Sequence, residues 1–106
     1  MNSKIKILVI LTIFTTLSFS QNINGTWKNG QDWVYTITQV KNKFIWTMSN
    51  QHYKEIASGK IIGKNKISVE WTNAKNSGSA TGTLKMDSLG KVTTIMWSNG
   101  AVFVKW

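Results

Sequence analysis

The sequence predicts an all-β domain, a small eight-stranded antiparallel up-and-down β-barrel. Three observations predict it. Beyond Gln21, turn signals recur at intervals of roughly ten residues. Between them, apolar and polar residues alternate with period two, as in Phe44, Trp46 and Met48 against Ile45, Thr47 and Ser49. No stretch of that region sustains a 3.6-residue period. Eight short strands with short links close into a barrel that leaves no exposed edge. A two-sheet β-sandwich of the same strands is the alternative.

The first twenty residues stand apart. Lys4 and Lys6 form a positive start, Ile7 to Leu17 an apolar stretch, and Ser18-Phe19-Ser20 small residues at the cleavage positions. This pattern is that of a secretory signal peptide, with Gln21 as the mature N-terminus. An uncleaved anchor is the alternative, though the run is short for a membrane-spanning helix. With no Cys, neither a lipoprotein anchor nor a disulfide is available. The expected location is periplasmic or secreted, in a bacterial setting.

The mature segment, 21–106, is one domain near the lower size limit for a single unaided core. The strands follow in order. The first is Gly25 to Lys28, ended by Asn29-Gly30, a hairpin signal because both residues tolerate positive φ. The second is Trp33 to Val40, with Trp33, Tyr35 and Ile37 on one face. Lys41-Asn42-Lys43 turns into the third, Phe44 to Ser49, and a polar loop through His52 and Tyr53 follows. The fourth is Glu55 to Ile62, and Gly63-Lys64-Asn65 turns into the fifth, Lys66 to Thr72. A small polar loop, 73–78, precedes the sixth, Ser79 to Met86, which sets Ala80, Gly82, Leu84 and Met86 on one face. Asp87-Ser88-Leu89-Gly90 turns into the seventh, Lys91 to Ser98. Asn99-Gly100 is the second strong hairpin signal, before Ala101 to Trp106.

Charge narrows the functions. Without Lys4 and Lys6 the chain keeps 11 Lys and no Arg against Asp32, Glu55, Glu70 and Asp87, a net charge near +7. Such a surface favours anionic partners in general. Lacking Arg, it has no bidentate fork for phosphate or base edges, so specific nucleic-acid binding is not expected. The lysines are spread along the chain, many in turns, where they serve solubility. A membrane-spanning barrel is disfavoured, because its strands need about 9–11 residues and an apolar outer band.

Nothing points to catalysis or to a cofactor. His52 is alone, and His and the acids show no metal-ligand spacing. Glu70 is expected to face outward and Asp87 to sit in a turn, which leaves Asp32 as the acid expected beside the aromatic mouth. Its alternative role is to shape its own turn. Asn24-Gly25-Thr26 fits a glycosylation sequon, a chance match in a bacterial chain.

The motif Trp-x-Asn occurs three times, at Trp27–Asn29, Trp71–Asn73 and Trp97–Asn99. In a meander the odd strands run the same way, so Trp27, Trp46, Trp71 and Trp97 should gather at one end. Trp33 and Tyr53 belong to that rim, and Trp106 to the other end. Trp would be the last large residue of its strand, x would face outward, and Asn would open the turn. Two readings remain. The rings plug the mouth as a floor, or they line it as a cup that stacks on a ligand.

"NGTWKNG" resembles the Gly-x-Trp opening of lipocalin-type and avidin-type barrels. "ISVEWTN", "SGSATGTL" and "TTIMWSNG" are similar to later strands of the avidin and streptavidin family. That family's fold is an eight-stranded up-and-down barrel with biotin at one mouth. The resemblance implies ring-stacking roles for Trp71 and Trp97. It places Asn29 at the asparagine that bonds the ureido oxygen, and Thr81 near the polar residue facing the sulfur. Asp32 stands nearest to the family's ligand serine.

The function expected is therefore an exported, non-enzymatic barrel that binds a small molecule or glycan. Its site would draw on Trp27, Asn29, Asp32, Trp33, Trp46, Trp71, Asn73, Thr81, Trp97 and Asn99. The alternative is a secreted protein-interaction module, of inhibitor or adhesion type, that sets lysine-rich turns against an acidic partner. A bare structural domain is the third reading. Self-association into a homo-oligomer is open to so small a barrel, but no residue demands it.

Overall fold

The computed structural model describes residues 21–31, 33–50, 54–73 and 75–106. The expected signal peptide, Asp32, His52 and Tyr53 lie outside the described residues. Eight strands make one closed antiparallel barrel: β1 (Gly25–Lys28), β2 (Val34–Val40), β3 (Lys43–Ser49), β4 (Lys54–Gly63), β5 (Lys66–Asn73), β6 (Ser77–Met86), β7 (Val92–Trp97) and β8 (Val102–Lys105). Each strand pairs with the next, and β1 closes the ring on β8 through Trp27 opposite Lys105. That last ladder decides for the barrel and against the sandwich. Among the described residues no helix is long and apolar enough to cross a membrane.

The period-two pattern becomes an inside and an outside. In β3, Phe44, Trp46 and Met48 are buried while the residues between them are exposed. The inner face is packed by matching large residues to small ones across strands. Ala57 lies between Trp46 and Trp71, Gly78 is opposite Trp71, Gly59 is opposite Phe44, and Gly82 is opposite Trp97. A narrow barrel can hold several indoles only if the facing strands give up volume in this way. The run of small inward residues on β4 and β6 does so.

The two ends are built differently. At one end the segment 21–24 folds across the opening. Ile23 is fully buried, and its N–H donates to Gln39 Oε1 at 2.8 Å. Gln39 Nε2 donates to the Gln21 carbonyl at 2.9 Å, and Gln21 Nε2 to Asn65 Oδ1 at 2.8 Å. This end is closed. The other end carries the links β1–β2, β3–β4, β5–β6 and β7–β8.

The turns correct one expectation. Asn29 and Asn99 do not adopt positive φ; that conformation falls to Gly100 at 94°, Gly90 at 82°, Lys41 at 58° and Asn65 at 61°. The asparagines act instead through their side-chain oxygens. Asn29 Oδ1 accepts from the N–H groups of Gln31 and Trp33, Asn73 Oδ1 from Lys75 and Asn76, and Asn99 Oδ1 from Ala101. Each substitutes for a backbone acceptor at the first step of a turn. Because Asn73 closes its turn so tightly, β6 begins at Ser77 rather than Ser79.

Candidate functional site

The other end contains a cluster of buried aromatic rings bordering a small cavity, which we call the cup. Tyr35 of β2, Trp46 of β3, Trp97 of β7 and Phe103 of β8 form one interlocked cluster. Tyr35 and Phe103 stack at 4.3 Å, and Trp46 and Trp97 meet edge to face at 5.4 Å. Phe103 touches both indoles, at 5.2 and 5.5 Å between ring centres. Such pairs each add about 0.5–1.5 kcal/mol beyond their buried area. They form a rigid floor. Above it lies a cavity of about 110 Å³, walled also by Glu55, Trp71, Asn99 and Ala101. At about 30 Å³ per water, this is room for roughly four waters or one small polar molecule.

Two polar groups in this cup are unusual. Glu55 is a buried carboxylate, 8 % exposed. Its Oε2 accepts from Trp46 Nε1 at 3.0 Å, and its Oε1 from Asn73 Nδ2 at 3.4 Å. Among the described residues, no lysine ammonium forms an ion pair with it. Lys54, its neighbour in sequence, is exposed on the outer face of β4. Trp97 is 6 % exposed, and among the described residues its Nε1 has no acceptor. The Cε3 and Cζ3 atoms of that ring lie against Gly82, so the nitrogen is on the indole's other edge. A buried donor left unpaired costs about 1–3 kcal/mol.

The structure divides the residues expected from sequence. Trp46, Trp71, Trp97 and Asn99 line the cup, and Asn73 supports it through Glu55. Trp71 is half-buried, with its ring against Gly78, and keeps surface to offer. Trp27 is elsewhere. Although it lies next to the end of β1, its indole turns back into the core and donates to the Ile23 carbonyl at 3.0 Å. Trp33 is half-buried against the core but does not line the cavity, and Asn29 serves its own turn. Thr81 is exposed, because the alternation of β6 points Ala80 and Gly82 inward and Thr81 out. Trp106 lies outside the barrel, under the Lys28 ammonium at 4.0 Å from the ring centre. Asp32 is outside the described residues.

Tyr35, Phe103 and above all Glu55 join the cup without having been singled out. Glu55 was hidden by the composition of β4. Ile56 and Ile62 suggest the inward face, yet they are 62 % and 49 % exposed, while Glu55, Ala57 and Gly59 face the interior. The usable signal was the small pair Ala57 and Gly59, which only the inner face requires.

A wider hollow of about 470 Å³ crosses the outer wall between β2 and β5, with Val40, Ile45, Lys43, Lys60 and Glu70 on its surface. Those five side chains are all solvent-exposed. It is a trough in the sheet rather than a site with buried polar groups. Among the described residues no group of three His, Cys, Asp or Glu could hold a metal ion. No protein-family model, curated protein or solved structure matches the chain. The avidin-like resemblance therefore rests on the quoted residues alone.

Proposed function

We propose that this is an exported, non-enzymatic binding barrel that holds a small molecule or a single sugar-sized unit in the aromatic cup. The observation that carries this reading is the buried carboxylate of Glu55 on the cavity wall, beside Trp97, whose Nε1 is buried without an acceptor among the described residues. A closed hydrophobic plug gains nothing from either, since both cost free energy unless something pairs with them. Trp71 adds a ring with exposed surface for stacking. Glu55 is the single acid among the described residues lining the cup, without a nucleophile and base pair beside it, which supports binding rather than catalysis. Export rests on the Lys4–Ser20 pattern.

The test is acrylamide quenching of tryptophan emission, with and without biotin, related heterocycles, and neutral and anionic oligosaccharides. A Trp71→Phe variant assigns the exposed component. Protection of that component by one compound is the expected result. Quenching that no compound changes would return the rings to a structural role. The protein-interaction reading has its own support in exposed Val40, Ile45 and Ile56 on the lysine-bearing wall. It would then take precedence.

A further inference from the structure

Resting on the cup reading, we infer that the ligand is a small organic cation, an alkylammonium. The cup holds a buried carboxylate, Glu55, with two neutral donors and no cationic partner among the described residues. A buried carboxylate is costly unless a positive charge compensates it. The chain has lysines in plenty, yet Lys54 beside it faces the outer surface. Among the described residues, the complementary charge is left to the ligand.

The rest of the wall fits the same chemistry. Tyr35, Trp46, Trp71, Trp97 and Phe103 surround the space. Aromatic faces attract alkylammonium ions through the ring quadrupole, with Trp the strongest. The faces of a tightly methylated ammonium are also apolar, so the rings pay little to desolvate it. A neutral sugar would stack on Trp71, but it would leave the carboxylate uncompensated. An anionic ligand would face Glu55 directly. The net positive charge of the chain does not oppose a cation here, because exposed lysines act through solvent screened over about 8 Å.

The experiment uses protein purified after expression of the full chain. Choline and 3,3-dimethylbutan-1-ol have the same shape and the same hydroxyl, and only choline is charged. Each is titrated into the wild type and into Glu55→Gln, following tryptophan emission and binding heat. Choline is expected to bind the wild type about tenfold or more tightly than its neutral isostere. Glu55→Gln removes the charge, so it should shrink that preference to the part the aromatic rings supply. Equal binding of the two in the wild type would overturn the inference, and that comparison needs no variant. Binding of a neutral sugar without choline would also overturn it, while leaving the cup reading in place. Silence of Trp71 and Trp97 toward every compound would end both.

Discussion

Gly82→Ala tests whether Trp97 is held where the cup requires it. A methyl group at position 82 would sit 2.9 Å from both Cε3 and Cζ3 of Trp97, and 3.0 Å from Ile67 Cγ1. Neither neighbour has room to retreat: Trp97 is 6 % exposed and Ile67 fully buried. Two effects oppose each other. Overpacking a core by one methyl costs about 1–3 kcal/mol. Replacing a glycine whose φ is ordinary gains about 0.4–1 kcal/mol by restricting the unfolded chain. The clash wins, because a ring in a rigid aromatic floor cannot absorb several tenths of an ångström without moving Trp46 or Phe103. The net loss is about 1–2 kcal/mol, a fall in Tm of roughly 5–15 °C for a domain of this size. Moving those rings disturbs the cavity they line, so ligand affinity falls as well. Thermal unfolding followed by circular dichroism measures the first effect, and near-ultraviolet dichroism the ring movement. Gly63→Ala is the control, with no atom within 4 Å of the added carbon; it should be neutral or slightly stabilising. A Gly82→Ala protein as stable as the control would refute the packing argument.

Ile23→Ala should cost about 2–5 kcal/mol in urea unfolding, since it empties a fully buried site while keeping the backbone bond to Gln39. Asn99→Ala should lose about 0.5–1 kcal/mol with its single turn bond, and Asn73→Ala more, because two turn bonds and the Glu55 contact go together. Urea midpoints of the two variants give the order directly. The N–H groups of Lys91 and then Leu89 hold the Asp87 carboxyl below its ordinary range, against a small opposing effect of burial and with help from the Lys91 charge. Its contribution is therefore present above the ordinary carboxylate pKa and lost as pH falls through that value toward the lowered one. Wild type should exceed Asp87→Asn in stability at neutral pH, and the two stability curves should converge in acid. Parallel curves across that range would contradict the assignment.

Much of the barrel was legible because its signals are local. Alternation in β3 and β5 is clean, and Asn or Asp opens four of the turns, so strand number and order follow from the chain itself. The closure of β8 on β1 is also implied by eight strands that leave an edge to cover. Orientation of side chains was less legible where composition misleads. β4 buries Glu55 and exposes Ile56, because the inner face needs small residues opposite Trp46, Trp71 and Phe44, a tertiary demand that no local pattern states. Trp27, Trp71 and Trp97 share one motif and meet three fates. The motif fixes the strand end and the turn, but the direction of an indole depends on what lies across the barrel. For Trp27 that is the Ile23 carbonyl of the closing segment. Thr81 shows the same limit for resemblance: the phase of β6 places it outside.

The most direct measurement of the cup is a nitrogen–proton spectrum of the six indole groups in labelled protein, assigned by Trp→Phe variants and recorded while choline and the sugar panel are added. A ligand in the cup must move the Trp97 and Trp71 signals together, because both rings line the cavity. Trp27, bonded to the Ile23 carbonyl, and Trp106, outside the barrel, should stay fixed. Movement of Trp106 alone, or of no indole with any compound, would contradict the cup as the binding site.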